Sequence, residues 1–282
     1  VSGGQRGVSR YDYVAVGHVT CDVLNDGSGE RFQPGGTAFY SALQAARLGL
    51  RALIVTQGAP AQIEQLLSPY SGEIDLQVIP APRTTTLATR GAGAVRVQSV
   101  LAWAGPIVDP PRVDTEILHL APVARETPSC WCGSATFLGI TPQGLVRDWR
   151  SGKVKAVPLD AALLPSRFDA AVISEHERPC CELLFAAAEE RGACVAVTAG
   201  ARPASVHMSS GEALRAAIPP AVEVRDDLGA GDVFAATFFV ALAEGREPLA
   251  AAAFANAAAA VRIAALGPNA IGTRAQVQAL LA

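Results

Sequence analysis

Short apolar runs recur along the first two hundred residues, each bounded by polar or glycine-containing stretches, and the last sixty residues change to a helical period. The run YVAVGHV (Tyr13 to Val19) predicts a first strand. A polar excursion, CDVLNDGSGERFQPGG, follows it. Thr37 to Leu48 then has helical spacing and stops at Gly49, as expected for a glycine just past a helix end. RALIVTQG returns as a strand, and this strand, helix, strand alternation predicts a parallel sheet covered by helices.

Between Arg83 and Ile107 the pattern alternates and is broken by Gly91 and Gly93, which predicts a hairpin rather than a helix. With the excursion at 22–34, it predicts a small β lid contributed by about 22–34 and 84–105. ILHLAPV, TFLGI, DAAVIS and CVAVTAG read as further strands, and ERPCCELLFAAAEERG as a helix ending at Gly192. Helices are then expected over Gly231 to Glu244, Pro248 to Leu266 and Arg274 to Leu281. No repeat, low-complexity linker or composition break divides the chain. The expectation is one α/β domain over 1–282 carrying an inserted lid.

Composition narrows the function classes. The chain has 282 residues, half of them hydrophobic and 17% charged, enough to bury a large core. Its net charge of −3 argues against a nucleic-acid binder, which would carry a clustered positive excess. It leaves room for an anionic ligand, because backbone N–H groups bind phosphates without net charge. Lysine occurs only at 153 and 155, so a phosphate site here would lean on arginine, backbone and metal. Cys21, Cys130, Cys132, Cys180, Cys181 and Cys194 lack zinc-site spacing and read as reduced thiols. VSGGQRGVSR has no signal-peptide character, and Ala250 to Leu266 is interrupted by Asn256 and Arg262, so no membrane span is expected. A cytoplasmic location is the corresponding expectation. His18, His119, His176 and His207 are scattered without metal spacing and read as packed or surface residues.

The segment DDLGAGDVFAATFFVALAEG (Asp226 to Gly245) carries the chemistry. Gly229, Ala230 and Gly231 have little or no side chain, so their backbone can approach a ligand closely just where an apolar helix begins. The N–H groups at such a helix start form an anion hole. A carboxylate placed there, Asp232, would face bound phosphate and suits proton removal from an attacking hydroxyl. Taken alone, GAGD reads equally as an acidic cap beside a glycine turn.

This segment resembles the C-terminal signature D-T-x-G-A-G-D of the ribokinase/PfkB kinases, with Asp227 standing where threonine is usual. The resemblance implies a ribokinase-like three-layer αβα sandwich with a mostly parallel sheet and a β lid. It further implies that Asp232 is the catalytic base, that Gly229, Ala230 and Gly231 form the anion hole, and that the cofactors are ATP and Mg²⁺. PGGTAFYSALQAARLGLRALIVTQG is similar to the family's N-terminal signature. On that match Gly35, Gly36 and Thr37 open a helix at the substrate site, and Asp22 receives substrate hydroxyls. An exposed loop aspartate is the other reading of Asp22. SEHE resembles N-x-x-E, which makes Glu177 a magnesium organiser; a solvated charged turn is the alternative. VTAG resembles the T-x-G loop, so Thr198 and Gly200 would contact nucleotide phosphates. Asn256 would lie near adenine, or is simply a polar helix position.

Tyr40 stands where sugar kinases of the family have asparagine. With GHVTCDVL, QGLVR (Gln143 to Arg147) and Ser174, this is more similar to the myo-inositol kinase branch. A cyclitol, polyol or sugar acceptor is therefore expected, with a nucleoside kinase or a non-catalytic nucleotide-binding relative as alternatives. Arg90 and Arg96 lie on the predicted hairpin six residues apart, hence on one face, and are candidates to reach substrate or phosphate. A homodimer through the lid is the partner the resemblance suggests, with no nucleic acid or membrane.

Overall fold

The computed structural model describes residues 11–25, 29–91, 97–131, 133–150 and 152–281. A nine-stranded sheet forms its centre, built from β1 (Tyr11–Val16), β4 (Ala52–Gly58), β5 (Ile74–Pro80), β8 (Thr115–Leu120), β9 (Ala135–Ile140), β12 (Ala170–Ser174), β13 (Cys194–Ala199), β14 (Arg202–His207) and β15 (Ala213–Arg215). Its order is β15-β14-β13-β12-β9-β8-β1-β4-β5. Pairings from β5 across to β13 are parallel, and β14 and β15 add antiparallel at the far edge.

Both faces of the sheet are covered, which explains the unbroken apolar runs at its centre. Tyr13, Ala15, Ala52, Ile54, Ala170 and Val172 face one core; their neighbours Val14, Val16, Leu53, Val55, Ala171 and Ile173 face the other. The first core is filled by α1 (Thr37–Arg47), α2 (Pro60–Leu67), α4 (Ala230–Ala243) and α5 (Pro248–Ile263), with α6 (Arg274–Ala279) contributing Val277. The second is closed by α3 (Glu182–Arg191) and neighbouring loops. Alanine is plentiful in α5, where Ala251, Ala252, Ala255, Ala257 and Ala258 are fully buried. Small side chains let that helix pack closely on α4. Among the described residues, no helix is long and apolar enough to cross a membrane.

A separate four-stranded sheet, ordered β3-β2-β6-β7, is the lid. It consists of β2 (Thr20–Asn25), β3 (Glu30–Gly35), β6 (Thr86–Arg90) and β7 (Val97–Ala102). The polar excursion after the first strand is thus a paired β2–β3 hairpin. β1 ends at Val16, earlier than YVAVGHV suggests, because Gly17 lies against the Ala121 backbone: a Cβ there would sit 2.1 Å from its carbonyl oxygen. Arg96, Gly93 and Cys132 lie outside the described residues. The pattern also missed α2 with edge strand β5, and the pair β14–β15, whose half-exposed residues weaken the apolar signal.

Candidate active site

Two helix starts and the inner face of the lid meet at a cavity of about 200 Å³. The start of α1 contributes Gly36, Thr37 and Tyr40, and the loop into α4 contributes Asp227, Gly229, Gly231 and Asp232. The lid supplies Asp22, Leu87 and Gln98. Val123, Gln143 and Arg147, which follow the C-terminal ends of β8 and β9, complete the wall. This is the edge where open α/β sheets place their ligands.

Asp232 occupies the first turn of α4. Burial, together with the charges of Glu177 and Asp22, pushes its carboxyl up to about 6, against a hydrogen bond from Thr37 and the charge of Arg147, which hold it down. Its main-chain carbonyl accepts from Ser41 Oγ at 3.2 Å, which ties the helix start to α1. Gly229 caps α4 with φ of 78°, and a Cβ there would lie 2.4 Å from the Tyr40 ring. Only glycine satisfies both the left-handed backbone and that approach. At Gly231 nothing lies within 4 Å of an added Cβ, so that face of the first turn is open. The N–H groups of a first turn have no intrahelical acceptor, which leaves them available to an anion.

The loop before α4 is clamped by Arg262, whose side chain is fully buried. Its Nη2 donates to Asp226 Oδ2 at 2.8 Å and to the Leu228 carbonyl at 2.6 Å, while Nη1 donates to the carbonyls of Asp226 and Ala265. The guanidinium also stacks on Tyr40, 5.7 Å from the ring centroid. Tyr40 itself is 1% exposed, with Gln33 Nε2 donating to its hydroxyl at 3.4 Å.

Asp22 is not an exposed loop residue. It lies within β2, 3% exposed, and accepts from Thr20 Oγ1 at 2.7 Å. Gly35 is a glycine for Asp22's sake: an added Cβ would sit 2.1 Å from Asp22 Oδ2. Gly35 itself is not among the described residues that line the cavity. Gly36 does reach the cavity, with φ of 91° and the His18 carbonyl 2.3 Å from a virtual Cβ.

Arg90 requires a correction. Asp22 and Leu87 are cross-strand partners on the cavity face of the lid. Arg90, three residues beyond Leu87, points to the opposite face and is exposed.

The expected donor-side residues lie along the same sheet edge but outside the cavity. Ser174 and Thr198 are register partners at the ends of β12 and β13, and Thr198 Oγ1 donates to the Ile173 carbonyl at 3.3 Å. Gly200, with φ of 62°, makes the tight turn between β13 and β14. Asn256 Nδ2 donates to the Ala217 carbonyl at 2.8 Å, so its amide fastens α5 to the loop after β15. Glu177 Oε2 accepts from Ser174 N at 2.8 Å, and its charge is felt by both Asp232 and Arg147.

Arg147, Gln98 and Gln143 are site residues that the pattern did not single out individually. Burial lowers the Arg147 guanidinium from its ordinary value, opposed by the charges of Glu177, Asp232, Glu126 and Asp22. The nearby histidines stay structural. His119, between Tyr13 Oη at 2.7 Å and Thr141 Oγ1 at 2.9 Å, is pushed down to about 3 by burial and is neutral.

A carboxylate in the first turn of a helix, beside an open glycine turn and under a small β sheet, is set in a ribokinase-like αβα fold. Residues 146–274 match the pfkB family carbohydrate kinase model, so the C-terminal part of the chain, with the loop into α4, is similar to that family. It is 29% identical over a 289-residue alignment to the bifunctional protein HldE of Azorhizobium caulinodans, covering 89% of this chain and 57% of that protein. The chain thus spans little more than half the length of that curated relative. Among solved structures it resembles a pyrophosphate-dependent kinase of the ribokinase family complexed with a pyrophosphate analogue and myo-inositol. That match has a TM-score of 0.75 and 19% identity, covering 95% of this chain and 99% of the other. It also resembles an Arabidopsis thaliana ribokinase complexed with ribose and ATP (TM-score 0.72, 18% identity, 97% and 99% covered).

Proposed function

We propose that the chain transfers the γ-phosphoryl group of ATP to a hydroxyl of a small cyclitol, polyol or sugar, with Asp232 as general base. The carrying observation is the Asp232 carboxyl, tuned to about 6, at an open helix start in a cavity lined by Arg147 and neutral amides. Asp22 and the Gln143 amide suit an acceptor with several hydroxyls. Among the described residues lining the cavity the one aromatic is Tyr40, and its ring is buried, which favours a non-aromatic acceptor.

In the transfer, Asp232 accepts the proton of the acceptor hydroxyl as its oxygen bonds to the γ-phosphorus. The bond from that phosphorus to the β,γ-bridging oxygen breaks, and ADP leaves. The first-turn N–H groups of α4 and the Arg147 guanidinium stabilise the charge on the phosphoryl oxygens.

Among the described residues no cluster of three metal-ligating side chains occurs. That fits Mg²⁺, which keeps several waters and binds mainly through substrate phosphates. Glu177, with one oxygen committed to Ser174 N, would hold the ion's water shell. Thr198 and Gly200 would border the donor phosphates. The described chain would act as a single kinase domain. Phe32 and Leu101, 64% and 60% exposed on the lid, favour a homodimer through it.

The test is ADP release with ATP and Mg²⁺ over panels of cyclitols, sugars and nucleosides, with pyrophosphate in place of ATP as a second donor arm. A cyclitol or sugar turning over best is expected. Turnover of nucleosides alone overturns the acceptor class, turnover with pyrophosphate alone overturns the donor, and no turnover with either donor overturns the kinase reading.

A further inference from the structure

Arg147 is the first residue of a two-stranded ribbon, β10 (Arg147–Asp148) paired antiparallel with β11 (Lys155–Ala156). This ribbon belongs to the body of the molecule by chain position, yet it is stitched to the lid strand β7. Val154 N donates to the Gln98 carbonyl at 2.9 Å, and Lys153 forms an antiparallel bridge with Ser99. The Trp149 ring lies against Trp103 with centroids 5.8 Å apart.

The fourth link lies in the cavity wall. Arg147 Nη2 donates to Gln98 Oε1 at 3.2 Å, and Gln98 Nε2 donates in turn to Thr89 Oγ1 on β6 at 3.3 Å. On the other side, Arg147 Nη1 donates to the Val123 carbonyl at 3.2 Å. That loop is held by Glu126, whose buried carboxylate accepts from Val123 N, Ala124 N and His18 N. The guanidinium is therefore held from the body at one nitrogen and from the lid at another. A guanidinium has five N–H donors, so these two bonds fix its plane and leave the others for an anion.

We infer that Gln98 is a lid-borne positioning residue that aims Arg147 at the transferring phosphoryl group. The ribbon of β10 and β11 acts as the strap that makes lid position and Arg147 orientation a single event. The inference rests on the kinase reading above. Its physical basis is that an arginine side chain has many rotamers, and removing one of two anchors frees it to leave the productive orientation. Gln98 acts through Arg147 and need not touch the phosphoryl group.

The experiment is a double-mutant cycle with Gln98→Leu and Arg147→Leu, reading kcat and both KM values with the best acceptor from the screen. Gln98→Leu should lower kcat about tenfold or more while acceptor KM changes less than threefold. The double variant should be no slower than Arg147→Leu alone, since a positioner has nothing left to position. Gln98→Glu, which keeps an acceptor oxygen for Arg147, should recover at least threefold of the kcat that Gln98→Leu loses. Multiplying effects in the double variant, or a rise confined to acceptor KM, would overturn the inference; the latter would make Gln98 an acceptor contact.

A second readout needs no turnover. Backbone hydrogen exchange of 147–156 in the ligand-free protein should quicken in Gln98→Leu and stay near wild type in Gln98→Glu. Unchanged exchange in Gln98→Leu would sink the latch even if the wild type phosphorylated no acceptor. Activity of the wild type, in contrast, judges the kinase reading alone.

Discussion

Replacing Asp232 by asparagine removes the proton acceptor while keeping the side chain's size. In the free protein this carboxyl is raised to about 6, first by burial and then by Glu177 and Asp22, against Thr37 and Arg147. A base works only when deprotonated, so activity rises with pH through that value and levels off above it. With a value near 6, about 97% of the carboxyl is ionised at pH 7.5 and about 9% at pH 5, so kcat/KM should fall roughly tenfold over that interval. The acid limb of kcat/KM reports the free enzyme, which is the state the structure describes.

In Asp232→Asn the rate should drop by about 10²–10⁴-fold and the limb near pH 6 should vanish. Arg147→Leu, which removes a charge holding the carboxyl down, should move the limb to higher pH. The assay is coupled ADP release from pH 5 to 8.5, with constant ionic strength. Retention of more than about a tenth of wild-type kcat/KM in Asp232→Asn, or persistence of the same limb, would refute the assignment.

Other consequences can be checked alongside. Gly35→Ala places a methyl group 2.1 Å from the Asp22 carboxylate and must displace it. Acceptor KM should rise about tenfold while ATP KM stays within twofold, and an unchanged acceptor KM would show that Asp22 does not bind it. Arg262→Met strips Asp226 of its ion-pair partner, leaving it the N–H groups of Leu228 and Gly267, and leaves the carbonyls of Asp226, Leu228 and Ala265 without that donor. Breaking a fully buried pair costs about 3–5 kcal/mol; Asp226 is partly exposed and keeps two donors, so a smaller loss and a Tm lower by roughly 3 °C or more are expected on thermal unfolding. A shift under 2 °C would contradict the clamp.

The β-rich runs around Val14, Ile54, Val172 and Val195 were legible because parallel strands covered on both faces carry apolar residues at every position. The amphipathic edge strands β5, β14 and β15 were not, since half of each faces solvent and the pattern there competes with loop composition. The GAGD segment marked Asp232 as a candidate, but taken alone it read equally as an acidic cap beside a glycine turn, and only the resemblance to the family signature tipped the balance. Asp22 was legible as a residue, but its burial within a lid strand was not.

Much of the local order was written in the chain itself: where the central strands and the longer helices run, where glycine must turn the backbone, and which carboxylate lies in the first turn of α4. These follow from short-range sterics and from the periodic burial of each element, which a one-dimensional pattern records. The meeting of Asp22, Gln98, Arg147 and Asp232 was decided by tertiary structure, because they come from separate elements brought together by strand order and lid docking. The same holds for Gly35, whose missing side chain makes room for a residue thirteen positions earlier, and for Arg90, turned away from the cavity by lid register. Contacts between distant elements depend on how the layers stack, and periodicity along one strand carries no record of its neighbours.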